Sequence, residues 1–187
     1  TPTLSAEERI AVTKFVIEKN NGKLPIVLGI GGNCTADVVR RIQTTDLEGV
    51  DAILSVTPYY NKPSQEGIYQ HYKTIAEASP RPIVMYNVPG RTGVNMAAAT
   101  TLRLAHECKN IIAVKEASGN IAQAAYILRD RPEGFYVISG DANLTLPMMA
   151  MGGDGVISVA VNAYPEKFCR MVHALQQGDV KTAAPLH

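Results

Sequence analysis

The sequence predicts an α/β fold with parallel strands, and a (β/α)8 barrel (a TIM barrel) is the favoured member of that class. Six short runs rich in β-branched residues alternate with amphipathic segments. The runs are almost continuously apolar, as expected for parallel strands that are covered on both faces. Polar or glycine-containing segments follow essentially every run. A barrel builds its site from the carboxyl ends of many strands, whereas an open doubly wound sheet needs such segments mainly at one switch point.

The apolar runs and the capping residues place the elements in order along the chain. The predicted strands are 25–31, 49–58, 82–88, 110–117, 135–141 and 155–161. Residues that can cap the free N–H groups of a helix precede four of the helices: Ser5, which forms a capping box with Glu8, and Thr35, Ser64 and Asn120. A last helix is predicted for residues 165–177, before Gly178.

Six strands are too few to close an eight-stranded barrel. Either residues 1–187 form a different fold or they are part of a longer chain.

Composition excludes several classes of function. The chain has 187 residues, of which 46% are hydrophobic, and a formal net charge of +1, so it has no basic footprint for nucleic acid or an anionic membrane. It has no tryptophan, which argues against a surface that stacks nucleic-acid bases. Its three cysteines are too few and too scattered for a disulfide framework or a zinc ribbon.

The four histidines do not fall at metal-ligand spacing, so we predict no metal site and expect them on helix surfaces or at the terminus. With no signal peptide and no membrane-length apolar run, the sequence indicates a cytoplasmic protein.

A lysine lies at the end of the fourth apolar run, in IIAVKEASG (111–119). Lys115 taken alone is more often a surface residue, but the apolar residues before it favour burial. Burial lowers the pKa of a lysine and frees its amine to attack a carbonyl. Glu116, the next residue, should point to the opposite face of the strand, where we expect a structural role.

Two tyrosines and an arginine follow other predicted strands. Tyr60 lies in TPYYNKP, and Tyr86 and Arg91 lie in YNVPGRTG. Each alone is more often a packing or surface residue, but rigid segments rich in proline, asparagine and glycine are where strand-end side chains acquire functions. A tyrosine can carry a proton and an arginine can hold a carboxylate, so with Lys115 the residues indicate imine chemistry on a small keto acid. The glycine clusters at 29–33 and 152–155 match no phosphate-binding motif and are interpreted as tight turns.

Five segments together resemble the dihydrodipicolinate synthase family, a branch of the pyruvate-dependent class I aldolases. They are TPYYNKPSQEG (57–67), YNVPGRTG (86–93), IIAVKEASGN (111–120), ISGDAN (138–143) and GGDGVISV (152–159). The resemblance implies a lyase with a (β/α)8 barrel. Residues 1–187 would be one partial barrel domain that contains strands three to eight, and the first two βα units and a C-terminal helical region would belong to a longer chain. Such an enzyme condenses pyruvate with L-aspartate 4-semialdehyde to 4-hydroxy-tetrahydrodipicolinate, in the synthesis of diaminopimelate and lysine.

The resemblance also implies a role for each site residue. Lys115 would form the imine with pyruvate, Tyr86 would pass protons to and from the intermediate, and Arg91 would orient the semialdehyde's carboxylate. Tyr60 would reach the site of a neighbouring subunit in a homotetramer built as a dimer of tight dimers. The backbones of Gly140 and Ile157 would approach pyruvate. No metal or organic cofactor is expected, since the lysine itself is the electron sink.

Two departures from the family pattern matter. The GTTGE-like motif of the second strand has no counterpart, and residues 1–5 look like the stretch that follows it, so the threonine of the family's proton relay is not present. The possible lysine-effector residues are Asn33, Asp37 and Tyr59. The matching first-helix positions hold Ala6 and Arg9 where lysine-sensitive members have histidines, so we expect weak inhibition by lysine.

Two other functions remain open from the sequence. A related aldolase that cleaves sialic acid, of the N-acetylneuraminate lyase type, would share the barrel, the lysine and the tyrosine, but that branch generally lacks an arginine at position 91. A catalytically silent barrel that only binds its ligand is the second alternative, and the combination of Lys115, Tyr86 and Arg91 argues against it.

Overall fold

One parallel sheet runs through the chain, with its strands in the order in which they occur in the sequence. The computed structural model describes residues 3–187, and the sheet curls into the wall of a partial barrel. The six strands are β1 (Val27–Gly29), β2 (Ala52–Val56), β3 (Ile83–Asn87), β4 (Ile111–Glu116), β5 (Tyr136–Ser139) and β6 (Gly155–Val156). Each strand pairs in parallel with the next, which confirms the predicted class of fold. Residues 1 and 2 of the predicted domain lie outside the described residues.

Helices connect the strands and cover the outside of the sheet. They are α1 (Ala6–Asn20), α2 (Thr35–Thr44), α3 (Gln65–Ala78), α4 (Pro89–Thr92), α5 (Ala98–Glu107), α6 (Ile121–Asp130), α7 (Thr145–Ala150), α8 (Pro165–Gln176) and α9 (Val180–Ala183). The predicted caps at Ser5, Ser64 and Asn120 are confirmed, because each side chain accepts a hydrogen bond from its helix's first turn. None of the described helices is long and apolar enough to cross a membrane.

The prediction that Thr35 caps α2 is wrong, and so is the expectation that all four histidines lie at the surface. Cys34 occupies the cap position, and Thr35 is the first helical residue. Its hydroxyl lies 2.8 Å from Nδ1 of His71, which is buried between α2 and α3. Burial lowers the pKa of His71 to about 4, so the ring is neutral at pH 7.

The two faces of the sheet are packed differently. On the outer face, Ile83, Met85 and Val114 join the main hydrophobic core beneath the helices. On the inner face, Val84 and Ala113 belong to a separate, smaller cluster. Side chains alternate along a strand, so the residue two positions after Val84 and the residue two positions after Ala113 also point into the barrel. Those residues are Tyr86 and Lys115.

A buried tyrosine on α3 ties two strands together near this point. The hydroxyl of Tyr72 donates a hydrogen bond to the carbonyl oxygen of Ser55 at 2.9 Å and lies 3.4 Å from the backbone nitrogen of Tyr86. Burial raises the pKa of Tyr72 far above its usual range, so the phenol remains protonated. Tyr72 therefore helps to hold the carboxyl ends of β2 and β3 side by side.

Candidate functional site

The site is built around a lysine and a tyrosine that face each other across two neighbouring strands. Tyr86 of β3 and Lys115 of β4 are direct partners in the parallel register. Their side chains leave the same face of the sheet, and the Lys115 Nζ lies 4.2 Å from the centroid of the Tyr86 ring. Residues 29 positions apart in the chain thus meet at the carboxyl edge of the sheet, as expected for a barrel site.

The surroundings of this pair favour a neutral amine and a protonated phenol. Burial lowers the pKa of Lys115, and the positive charge of Arg91 lowers it further. Burial raises the pKa of Tyr86, and Arg91 acts in the opposite direction with a smaller effect. A lysine with a lowered pKa has a larger fraction of free amine near neutral pH, and a protonated phenol can donate a proton to a reacting group.

Arg91 lies in the segment that follows β3. The short helix α4 carries it, and Gly93, at φ 75°, ends that helix in the left-handed conformation that favours glycine. The Arg91 side chain is exposed, and it forms no ion pair with any of residues 3–187. Its planar guanidinium is therefore available to a carboxylate that enters beside Lys115 and Tyr86.

Gly140 makes room for the lysine. A Cβ atom at this position would lie 2.7 Å from the Cβ of Ala117 and 3.0 Å from the Cε of Lys115. The backbone N–H of Gly140 donates to the carbonyl of Glu116, and that of Ile157 donates to the carbonyl of Ser139. Gly140 and Ile157 thus continue the ladder of β4, β5 and β6 past Lys115, and the absent side chain at position 140 leaves the lysine its place.

Tyr60 does not join this pair within the chain. It sits in the β2–α3 loop at φ 71°, an uncommon conformation for a residue with a side chain. Its side chain is 86% exposed, and its backbone N–H is held by the carbonyl of Thr92 at 3.3 Å. Tyr60 therefore extends outward from a loop whose backbone is bonded to Thr92, the residue after Arg91.

The three possible effector residues lie beside the amino end of α2 and the β2–α3 loop. Asp37 pairs with Arg40 at 2.6 Å, and the side chain of Tyr59 is half-exposed. Arg41 interacts electrostatically with several of these groups. Burial lowers the pKa of Arg41 most, and the charge of Arg9 lowers it further. Asp37 and Tyr59 raise it. Three guanidinium groups, those of Arg9, Arg40 and Arg41, therefore lie in this region with the predicted residues Asp37 and Tyr59. Asn33 contributes a carbonyl, 3.5 Å from the Asn61 amide.

Sequence reasoning missed a group of buried polar residues directly behind the site. Asn87 and Glu116 follow Tyr86 and Lys115 in the chain and point to the opposite face of the sheet. Glu116 is 3% exposed and hydrogen-bonded, in agreement with the structural role expected for it. The sequence does indicate that Asn87 and Glu116 lie on the face opposite to the site, because each directly follows a site residue on its strand. It does not indicate that Asn87 and Glu116 are in contact.

The site holds no arrangement suited to a metal ion. Residues 3–187 contain no group of three or more histidine, cysteine, aspartate or glutamate side chains that could bind one. The chemistry that these residues offer is a half-buried amine, a half-buried phenol and an exposed guanidinium at the carboxyl edge of the sheet.

Comparison with known proteins relates the chain to one family. The model of the Dihydrodipicolinate synthetase family matches residues 1–187. A 4-hydroxy-tetrahydrodipicolinate synthase from Parabacteroides distasonis is 58% identical over 187 residues, which is all of this chain and 63% of that protein. The chain thus spans just under two thirds of the length of this curated relative.

Solved structures agree with this relationship. Dihydrodipicolinate synthase from Aquifex aeolicus superposes with a TM-score of 0.94 at 42% identity, and the match covers 100% of this chain and 64% of that one. The chloride-inhibited enzyme from Acinetobacter baumannii, complexed with pyruvate, superposes with a TM-score of 0.94 at 40% identity, and the match covers 99% of this chain and 63% of that one.

The space left by Gly140 can be tested by filling it. In the complete protein, we expect Gly140→Ala to displace Lys115 and to slow any reaction of its amine by at least about 10-fold, since misplacing a catalytic group by about 1 Å can cost about 100-fold. Gly90→Ala is the matched control, because a Cβ there meets nothing within 4 Å. The measurement is the rate at which Lys115 is modified by a carbonyl reagent, read by mass spectrometry. Equal rates in the two variants would contradict the steric interpretation.

Proposed function

The chain belongs to the dihydrodipicolinate synthetase family, and we propose that the complete protein condenses pyruvate with L-aspartate 4-semialdehyde to 4-hydroxy-tetrahydrodipicolinate. The observation that carries the proposal is the Lys115 amine 4.2 Å from the centre of the Tyr86 ring, at directly paired strand ends. Pyruvate in the Acinetobacter baumannii complex supports the choice of keto acid. On this proposal the protein is a lyase of diaminopimelate and lysine synthesis.

Lys115 is the nucleophile of the proposed reaction. Its neutral amine adds to the C2 carbonyl carbon of pyruvate, and loss of water leaves an iminium ion. Loss of a proton from C3 converts this ion to an enamine, whose C3 forms the new bond to the aldehyde carbon of the semialdehyde while the aldehyde oxygen takes up a proton. The amino group of the semialdehyde then adds to C2 and displaces Lys115, which closes the ring and restores the free lysine.

The neighbouring groups assist each step of this scheme. Tyr86 lies beside the lysine and is the proton carrier, since burial keeps its phenol protonated. Arg91 binds the carboxylate of the semialdehyde with its free guanidinium. The backbones of Gly140 and Ile157 line the pyruvate side of the site at the ends of β5 and β6. The covalent imine makes a separate cofactor unnecessary.

Tyr60 extends the proposal to a second subunit. The exposure of Tyr60 and its left-handed loop conformation support a role outside its own chain's lysine–tyrosine pair. We therefore propose a cytoplasmic homotetramer made of two tight dimers, in which Tyr60 completes the partner's proton relay. We also propose that the complete protein supplies the two further βα units that close the barrel, together with a C-terminal helical region.

Trapping of the imine tests the proposed chemistry. The complete protein is incubated with pyruvate and sodium borohydride, and Lys115 should gain a stable pyruvate-derived adduct that mass spectrometry locates. Lys115→Arg, which keeps the charge but cannot form the imine, should give no adduct and lose essentially all activity. Absence of the adduct from the unaltered protein would refute the enzyme proposal.

The same preparation distinguishes the synthase from the related lyase. Aspartate 4-semialdehyde should be consumed with pyruvate, whereas N-acetylmannosamine, the acceptor of the sialic acid reaction, should not. Arg91 is the residue that favours the first outcome. Preferential consumption of the sugar would assign the protein to the lyase branch while retaining the imine at Lys115.

Arg91 should affect both the pH dependence and the acceptor. Its charge disfavours the protonated lysine, so Arg91→Ala raises the pKa of Lys115, and the midpoint of imine trapping against pH should move to higher pH. Arg91→Lys keeps the charge and should leave the midpoint near its original position. Arg91→Ala should raise KM for the semialdehyde roughly 10- to 100-fold, because it loses a charge-assisted contact worth about 1.5–3 kcal/mol. Arg91→Lys should raise KM less, because it loses only the bidentate geometry of that contact. A midpoint that moves equally in both variants would contradict the electrostatic role.

Inhibition by lysine should be weak. Asp37 is paired with Arg40 and interacts with the charge of Arg41, on which Arg9 also acts, and these guanidinium groups repel a cationic amino acid. An inhibition curve with lysine, measured at saturating pyruvate, should show little loss of rate at concentrations that suppress sensitive enzymes. Arg9→His should increase the inhibition, since it removes one permanent positive charge. Strong inhibition of the unaltered protein would overturn this expectation.

A further inference from the structure

Two buried residues behind the site are linked as directly as the two reactive residues in front of it. Asn87 follows Tyr86, Glu116 follows Lys115, and the two are register partners in β3 and β4. Both point to the helix-covered face, where their side chains are 0% and 3% exposed. The Asn87 Nδ2 lies 3.1 Å and 3.3 Å from the two carboxylate oxygens of Glu116.

The Glu116 carboxylate is surrounded by hydrogen-bond donors. Gln123 of α6 donates from Nε2 to Oε2 at 3.1 Å, and the backbone N–H of Ser118 donates to Oε1 at 2.6 Å. No lysine, arginine or histidine among residues 3–187 forms an ion pair with it. A carboxylate can be buried without a neighbouring cation only when hydrogen-bond donors surround it. The position of the Glu116 carboxylate is therefore determined by its three donors: Asn87, Gln123 and the Ser118 backbone.

The same network reaches the segment that carries Arg91. Asn87 accepts a hydrogen bond from the backbone N–H of Met96 at 2.9 Å and donates to Oδ1 of Asn95 at 2.8 Å. Gln123 donates to the carbonyl of Met96 at 3.2 Å. The loop that leaves β3, passes through Arg91 and enters α5 is thereby fastened to the back of β4.

We propose that Glu116 is a positioning residue, whose carboxylate gathers the ends of β3 and β4 and the Arg91 segment so that the Lys115 amine is held against the Tyr86 ring. This inference rests on the proposed function, since it concerns the residue that forms the imine. Glu116 does not touch the reactants. It acts through the backbone of the adjacent lysine and through Asn87, its partner behind Tyr86.

The chemistry of the carboxylate explains why an amide would not replace it. Ionised glutamate only accepts hydrogen bonds, and three donors converge on it, so every group in the network is satisfied. Glutamine at position 116 would turn an NH2 group toward at least one of those donors. A strand end or the Ser118 turn must then move to separate them, and Lys115 moves with it.

The decisive experiment compares Glu116→Gln with the unaltered complete protein, with borohydride trapping of the pyruvate imine as the readout over a range of pH. We expect the trapping rate to fall about 10- to 100-fold, the cost of displacing a reactive group by about 1 Å. We also expect the midpoint of trapping to move to higher pH, because a lysine released from its half-buried position is more easily protonated. The described charged or titratable groups that face Lys115 are Tyr86 and Arg91, and neither is altered.

Tyr69→Phe is the matched control. It removes a hydrogen bond to the carboxylate of Glu107 between α3 and α5, away from the site, and should change neither the rate nor the midpoint. If Glu116→Gln fails to fold, Gln123→Met carries the same test, since it removes one donor from the carboxylate and should shift both quantities in the same direction by a smaller amount.

The outcomes separate this inference from the proposed function. A normal rate and midpoint in Glu116→Gln would overturn the positioning role while the imine at Lys115 stands. A lower rate with an unchanged midpoint would also overturn it, because that result reflects only a smaller fraction of folded protein. If the unaltered protein forms no adduct, the proposed function has failed and the inference fails with it.

Discussion

The direct pairing of β3 with β4 is the constraint on which the site depends. It places Tyr86 opposite Lys115 on the barrel side and Asn87 opposite Glu116 on the helix side. Because the side chains of a strand alternate, a shift of β4 by one residue against β3 would bring Val114 or Glu116 opposite Tyr86 and turn Lys115 to the helix side. The register therefore has to be held firmly, and the polar network behind the sheet joins β3 and β4 at the residues directly after Tyr86 and Lys115.

Lys115 has to be buried enough for its amine to lose a proton and exposed enough to meet a substrate. A fully buried lysine would lose its charge but could not meet a substrate, and a fully exposed one would remain protonated. Gly140, which has no side chain, leaves the Lys115 side chain a half-buried position beside an aromatic ring. Arg91 adds a positive charge that disfavours the ammonium form, and its own side chain is exposed.

Much of this arrangement could be predicted from the sequence because the relevant patterns are local. Apolar runs and capping residues located six strands and most of the longer helices, with boundaries a few residues too wide at the strands. The short helices α4 and α9 were not predicted, since four residues carry too little periodicity to be recognised. His71 was misplaced although it lies three residues after Ile68 and four before Ile75, on the buried face of α3, because the residue type alone does not indicate burial and its partner Thr35 lies on another helix.

The sequence by itself determined which residue types stand at the strand ends, and that Lys115 and Glu116 point to opposite faces, because alternation along a strand is a property of the backbone. Only the tertiary structure decided which strand ends lie side by side. The contact of Lys115 with Tyr86, the room beside Gly140 and the hydrogen bonds from Asn87 and Gln123 to Glu116 all join segments distant in the chain. Such contacts are set by the packing of whole elements against one another, which local patterns do not encode.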